Sequence, residues 1–528
     1  APPFDVVVVG SGYGGRIAAF ELAGTVVREP DGTERPIRLC LLERGRGFDP
    51  GDFPASLGEL PRELRVGNQR TGTVTGAMGL YDLRMGPDVA ALVANGLGGG
   101  SLINAGVMLE PRLEDFAGQP FAHELDDLRQ AGHFARARRL LGAEVPMAGG
   151  WVPNDILRLP GRLPKTAAME RLAQQGGRRC EFPPITVSLD GAPNAAGGAM
   201  QACNHCGDCM TGCNVGAKVS LDRNLLAAAA ARGCDIVTGA TVTSLMRGGQ
   251  GQQRHWVLRV AHTDPRLQER ESDLLYLPAH RVVLAAGALG SPEILLRSRN
   301  QRPNGDALVF SPGLGAHFSC NGDNIAAAQD LHGPAVNGTA DADLPPGQRG
   351  VGPTITASIT LRGDAAGADR AARPFLLQEF AVPAPLKWLF EETVALGRTL
   401  ADLPRPDDSE HDPSQADPLA VDPQRFAHTL LVGQIGHDDA RGSLRLALPR
   451  RPADGSPPTM GTLAIDWPTA RHGADLDDAL RAVRRVVEGR THGPGSATLV
   501  PNPLWRLLPE GLEDLTTTPR GPVLTVHP

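Results

Sequence analysis

Aromatic side chains are scarce, at 4% of 528 residues with 3 tyrosines and 5 tryptophans. That shortage argues against a surface built as a stacking platform for sugars. Long apolar runs are missing as well. None approaches the ~18 residues of a membrane-crossing helix, so a helical span is excluded. Positive charge is not in excess: 52 lysines and arginines face 59 acidic residues, for a formal net charge of −7. Nucleic acid is therefore not the expected main partner. A disulfide framework is not the expected reading either. Four of the eight cysteines crowd between Cys203 and Cys213, which a disulfide-stapled secreted chain does not usually show. The first apolar run begins close to Ala1 and leaves no room for a signal peptide, so the expected location is cytoplasmic, or periplasmic if a leader was removed before Ala1. Glycine is abundant, with 64 residues, and the hydrophobic share of 41% is ample for a large core. The length suggests two domains, interleaved along the chain.

The most informative stretch is Phe4 to Gly15, FDVVVVGSGYGG. Val6 to Val9 read as a strand buried on both faces, as in a parallel sheet. Gly10, Gly12 and Gly15 follow as G-x-G-x-x-G, and a helical pattern runs from Arg16 to Ala23. Gly10 permits the tight turn, Gly12 lets a pyrophosphate approach the backbone, and Gly15 lets helix and strand pack closely. The helix N-terminus then offers free N–H groups and the positive end of its dipole. With a strand before it and a helix after it, the motif reads as a dinucleotide site. A second apolar strand, Ile37 to Leu42, ends in Glu43, the expected ribose ligand. That acid arrives later than the usual ~20 residues. The extra length is assigned to an insertion at Arg28 to Arg35, which carries a Pro-Asp-Gly turn signal.

Residues 49–90 read as irregular, a cover over a cofactor. Asn95 to Asn104, NGLGGGSLIN, places Gly98, Gly99 and Gly100 in a row before Ser101, a bare backbone against which a flat ring or phosphate can lie. Residues 112–150 and 160–178 read as helical. Leu221 to Ala231 is the next helix, followed by strands at Asp235–Thr238 and Thr241–Met246 and hairpin strands at His255–Ala261 and Leu274–Pro278. Arg281 to Gly287 reads as a further buried strand, with a helix at Ser291–Arg297. From residue 305 onward, short β-like runs at Thr354–Leu361, Phe375–Val382 and Thr429–Ile435 suggest an antiparallel sheet with long loops. Asp475 to Glu488 is an amphipathic helix, with Leu476, Leu480, Val483 and Val487 on one face.

Together, VVVVGSGYGG (6–15), LLERG (41–45), NGLGGGSLINAGV (95–107), AKVSLDRNLL (217–226), VVLAAGALGSPEILLRS (282–298) and TVHP (525–528) resemble the glucose–methanol–choline oxidoreductase family, in its cholesterol-oxidase-like branch. The resemblance implies an α/β fold in which a Rossmann-like FAD-binding domain is interleaved with an α+β substrate domain on a largely antiparallel sheet. The expected FAD-binding parts are 1–48, 90–115, 198–304 and 519–528. The cover and substrate parts are 49–89, 116–197 and 305–518. It implies oxidation of an alcohol to a carbonyl compound, with FAD as hydride acceptor. By position, Gly10, Gly12, Gly14, Gly15 and Glu43 hold the ADP half and Val242 sits by adenine. Gly99, Gly100, Ser101 and Asn104 lie near the flavin and pyrophosphate, and Gly287 closes the second glycine turn.

Two catalytic candidates follow from the resemblance. His527 falls where the family places its active-site histidine, and an imidazole suits proton removal from an alcohol at neutral pH. Glu379 in LLQEFAVP resembles the glutamate that moves a proton in sterol oxidases, and a carboxylate among apolar neighbours would have a raised pKa. The family continues past HP, so the resemblance implies a further C-terminal stretch or a partner chain that completes the site. Cys203, Cys206, Cys209 and Cys213 depart from sterol oxidases. Their C-x2-C-x2-C-x3-C spacing matches the bacterial ferredoxin run, with Asn214 in place of proline. Cys203, Cys209 and Cys213 also resemble the cluster site of bacterial FAD glucose dehydrogenases. The expectation is an iron–sulfur cluster, 3Fe-4S or 4Fe-4S, with disulfides, free thiols and zinc as alternatives. Such a cluster favours a dehydrogenase that passes electrons to a quinone or acceptor protein. Cys40, Cys180, Cys234 and Cys320 read as small buried hydrophobes. The leading function is oxidation of a hydrophobic, sterol-like alcohol. The alternatives are a sugar or polyol dehydrogenase with an electron-transfer partner, or a non-catalytic subunit.

Overall fold

The computed structural model describes residues 2–68, 74–86, 88–116, 121–249, 251, 254–268, 275–299, 308–336, 350–362, 374–392, 426–447, 461–468, 474–489, 497–501 and 523–525. A six-stranded sheet runs in the order Cys234–Val237, Leu39–Leu42, β1 (Phe4–Val9), Leu275–Leu284, His255–His262 and Ala240–Gly248. The first four strands are parallel and the last two pair antiparallel. Val6 and Val8 point into one core with Ala19, Leu39, Leu41 and Leu226. Val7 and Val9 point into another with Cys40, Leu42, Leu258 and Ile294. Both faces are covered, so the unbroken valine run needs no polar alternation. Helix α1 (Tyr13–Leu22) returns across the first face, with Ala19 fully buried.

The late arrival of Glu43 has the expected cause. Val26–Arg28 and Glu34–Pro36 form a hairpin in the α1-to-strand connection, closed around Pro30, Asp31 and Gly32. Two hairpin-and-strand expectations give way to one element. Leu275–Leu284 is a single strand whose first half pairs with Trp256–Val260 and whose second half pairs with β1. Pro278 stands one residue before the hand-over at Ala279.

The stretch expected to be irregular is largely a sheet. Leu64–Asn68, Val74–Thr75, Tyr81–Met85 and Val89–Ala94 join Val523–Thr525 in five strands. The pattern was hidden because inward positions hold charges. Arg65, Asp82 and Arg84 are buried, with Asp82 fully enclosed and paired to both arginines and to Arg44. Residues 112–150 are also less helical than expected. After helices Ala122–Gln130 and His133–Leu140 the chain forms a hairpin, Glu144–Met147 with Gly150–Pro153. The helix expected at Leu221–Ala231 starts as a π-helical turn, Asp222–Leu226, before Ala227–Ala231.

The expected antiparallel sheet runs Cys180–Glu181, Ser358–Arg362, Pro374–Phe380, Leu430–Ile435, Asn324–Gln329 and Thr498–Pro501. Helices Pro164–Gln175 and Ala474–Glu488 pack on one face, where Met169, Leu172, Val483 and Val487 meet Ile359, Leu377 and Val432. Each such buried aliphatic side chain contributes about 1.5–3 kcal/mol through removal from water.

Candidate active site

The two glycine loops meet backbone to backbone. Gly10 has φ +95, and a Cβ there would lie 2.4 Å from Ala285 O, so the turn crosses the end of the neighbouring strand with no room for a side chain. A Cβ on Gly15 would lie 1.9 Å from Gly10 O. Gly99 has φ +54, and its Cβ would lie 2.7 Å from Gly12 Cα. On the other side the space is free. Among the described residues, Gly12, Gly100 and Gly287 have nothing within 4 Å of an added Cβ, and Gly14 has only Ala285 Cβ at 3.8 Å. Helix α1 starts beside Gly12 with no side-chain cap and no acid in its first turn. Its free N–H groups and positive dipole end therefore suit an anion in that groove.

One turn into α1 lies Arg16, fully buried, with no hydrogen-bond partner among the described residues at any guanidinium nitrogen. Burial pulls its pKa down to about 10, which leaves it charged at neutral pH. Asp222, whose Oδ1 is also unpartnered, is its nearest carboxylate influence. An open cradle of bare backbone, an uncapped helix end and an unsatisfied buried cation fit the pyrophosphate of a dinucleotide.

Glu43 is buried and takes three donors: Ser11 N at 3.0 Å, Ser11 Oγ at 2.5 Å and Gly45 N at 2.8 Å. A carboxylate offers about four lone-pair positions, so one remains for a ribose hydroxyl. Ser11 also accepts from Gly98 N at 2.9 Å, which ties the first glycine loop to the second. Ser101 uses its hydroxyl inside the protein, donating to Gly98 O at 2.8 Å and accepting from Leu221 N at 3.0 Å. Asn104 donates to Tyr13 Oη at 2.7 Å. The Val242 side chain packs in the sheet core with Val7 and Val260, so only its main chain faces outward.

The cysteine loop lies directly beneath the second glycine loop. Cys203, Cys206, Cys209 and Cys213 line one narrow concavity together with Val187, Ala217 and Lys218. All eight cysteines are free. Cys40, Cys234 and Cys320 are buried and Cys180 partly so. Burial pushes the Cys203 thiol up to about 12, with the neighbouring cysteines adding to it. Among the described residues no three Cys, His, Asp or Glu side chains converge as a single metal ion requires. Four thiolates at about 2.3 Å from one zinc would have to converge in that way. In a cluster each thiolate binds its own iron and the thiolates stay further apart. Asn214, which stands in the ferredoxin proline position, instead accepts from Gly51 N and Phe53 N and donates to Phe53 O.

Of the two expected catalytic residues, only Glu379 lies among the described residues. His527 lies outside the described residues. Strand Val523–Thr525 nevertheless runs parallel to Val89–Ala94 and sets Thr525 beside Ala91, four residues before Asn95. Glu379 is fully buried, but its neighbours are not the apolar ones expected. Oε1 accepts from Lys165 Nζ at 2.7 Å, Thr356 Oγ1 at 2.6 Å and Thr356 N at 2.9 Å, and Oε2 accepts from Ala357 N at 2.8 Å. Sequence reasoning passed over Ser11, Arg16, Lys165 and Lys218. A signal did exist: lysine occurs only at 165, 218 and 387 in a chain rich in arginine.

Residues 187–319 match the family model described as GMC oxidoreductase. The chain is similar to a cholesterol oxidase of Mycobacterium tuberculosis, at 29% identity over 396 residues covering 69% of this chain and 62% of that protein. It is also similar to a cholesterol oxidase of Acinetobacter baumannii, at 24% identity over 341 residues covering 61% and 55%. The match thus spans less than two thirds of the length of either relative. Among solved structures, a formate oxidase aligns at TM-score 0.47 and 12% identity, covering 95% of this chain and 84% of that one. A fungal aryl-alcohol oxidase aligns at 0.48 and 12%, covering 97% and 86%.

Proposed function

We propose that this chain, which belongs to the GMC oxidoreductases in their cholesterol-oxidase-like branch, is an FAD-dependent enzyme that oxidises a hydrophobic, sterol-like alcohol. The observation that carries the reading is the meeting of the two glycine loops at Gly12 and Gly99, with open space over Gly12, Gly100 and Gly287. FAD supplies the hydride acceptor for oxidation of the alcohol carbon. Gly10, Gly12, Gly14, Gly15 and Glu43 hold its ADP half, with the Val242 main chain at adenine. Gly99, Gly100, Ser101, Asn104 and Gly287 shape the space for the rest. His527 orients the substrate hydroxyl and takes its proton. The strand that brings Thr525 to Ala91 supports that role. Glu379, saturated by Lys165, Thr356 and Ala357, is assigned to holding the substrate sheet together.

The four cysteines are proposed to hold an iron–sulfur cluster that gives electrons an exit to a quinone or acceptor protein. The contact between the cysteine loop and the second glycine loop supports this. The protein should purify yellow, and its flavin absorbance should bleach anaerobically when alcohol is added. A screen of sterols, aliphatic alcohols and sugars, with a one-electron dye against dioxygen as acceptor, names the substrate class and the acceptor. A colourless chain that takes up no FAD would sink the proposal. Bleaching by sugars alone would favour the polyol-dehydrogenase reading.

A further inference from the structure

The cavity lined by the four cysteines adjoins a buried charge that no described carboxylate pairs. Lys218 is 2% exposed. Its ammonium donates to Leu102 O at 2.8 Å, Asn104 O at 3.0 Å and Cys209 O at 2.7 Å. An ammonium has three donors, so the set is complete. All three acceptors are neutral carbonyls, and among the described residues no carboxylate forms an ion pair with Lys218. Asp222 acts on it only at longer range. An unpaired buried ammonium costs several kcal/mol. The chain's other fully buried lysine, Lys165, avoids that cost through Glu379.

The surrounding backbone is also arranged for negative charge. The Lys218 main-chain N–H donates to Cys213 Sγ at 3.4 Å, and the His205 N–H donates to Cys203 Sγ at 3.4 Å. His205 has a positive φ of 64, unusual for a residue with a side chain, and Gly207, Gly212 and Gly216 in the same loop also have positive φ. Gly212 has a second reason to be glycine, since a Cβ there would lie 2.0 Å from the Phe53 ring.

We propose that Lys218 is the charge partner of an anionic iron–sulfur cluster held by Cys203, Cys206, Cys209 and Cys213, and that it ties this cluster to the Leu102–Asn104 segment of the flavin loop. The inference rests on the reading of the cysteine loop as a cluster site. Lys218 acts here as a positioning residue. Its charge stabilises the more negative, reduced form of the cluster and so raises the reduction potential. An arginine would be too broad for three converging carbonyls, which explains a lysine in an arginine-rich chain.

The test uses the full chain with FAD, purified anaerobically. Iron, acid-labile sulfide and FAD are quantified, and the cluster is titrated potentiometrically by paramagnetic resonance. Lys218→Gln keeps donors for the carbonyls and removes the charge. It should retain FAD and either lose the cluster or make its reduction at least tenfold less favourable, a 59 mV drop for one electron. Lys218→Met removes charge and tether and should also lower iron per FAD several-fold. If the methionine variant fails to fold, the glutamine variant carries the test. Wild-type protein with iron and sulfide but an unchanged Lys218→Gln potential and iron content overturns the role of Lys218 alone. Wild-type protein without iron or sulfide overturns the cluster reading and this inference together.

Discussion

Lys165 Nζ donates to Glu379 Oε1 at 2.7 Å with both side chains fully enclosed. The lysine stands on helix Pro164–Gln175 and the glutamate on strand Pro374–Phe380, so the pair bolts helix to sheet. Burial pulls the Lys165 amine below its ordinary value while Glu379 pulls it back. Breaking one side of such a pair strands the other charge and costs about 3–5 kcal/mol. Glu379→Gln should therefore lower the unfolding free energy by about that amount, seen as an earlier denaturant midpoint. A variant of wild-type stability with slowed turnover would return Glu379 to the role of proton carrier.

The glycines of the first loop should divide by what surrounds them. Gly12→Val meets no protein atom within 4 Å of the new Cβ, so the fold should survive. FAD affinity should fall more than about tenfold, a loss above ~1.4 kcal/mol. Gly15→Val drives a side chain against Gly10 O at 1.9 Å and should prevent folding. Circular dichroism and flavin content distinguish the two. Wild-type flavin content in folded Gly12→Val would place the nucleotide elsewhere.

His527→Ala, in a chain whose C-terminal site is complete, should slow flavin reduction by alcohol about 10²–10⁴-fold, the usual contribution of a positioned base. FAD content and thermal stability should not change. Stopped-flow reduction under anaerobic conditions is the measurement, and an unaltered rate removes His527 from the mechanism.

Asp82 sets an acid limit on stability. Burial alone would raise its pKa, but Arg84, Arg44 and Arg65 outweigh burial and hold the carboxyl well below its ordinary value of 3.8. A carboxyl lowered in the folded state contributes stability that is fully present above the unfolded value and is lost progressively as pH falls from there through the lower folded value. Unfolding free energy should thus decline below about pH 5. Asp82→Asn should lose about 3–5 kcal/mol at pH 7 and show a flatter acid limb. Denaturant midpoints at pH 7 and pH 4 check both, and parallel pH curves for the two proteins would refute the assignment.

Where the sequence was legible, one local rule was enough. Val6–Val9 and the glycines after them announce a buried strand, a tight turn and a helix because each needs only its own neighbours. The amphipathic stripe of Ala474–Glu488 was equally plain, since the core it meets asks only for apolar surface. The rule failed where charges went inward. Arg65, Asp82 and Arg84 occupy core positions of the strands between 64 and 94, and a period-two pattern cannot register ions that satisfy one another across the sheet. Glu379 likewise had a partner that was not legible along the chain. Its sequence neighbours are apolar, while its actual partner lies 214 residues away.

The sequence by itself determined the family of fold, the glycine loop at the mouth of α1 and the crowding of four cysteines, because these are properties of contiguous residues. The tertiary structure alone decided that Gly12 touches Gly99, that Ser11 joins Glu43 to Gly98, and that Lys218 bridges the cysteine loop to Leu102 and Asn104. Those relations bring together residues that are far apart along the chain. Burial then makes each polar or charged group depend on whichever partner the fold brings within reach.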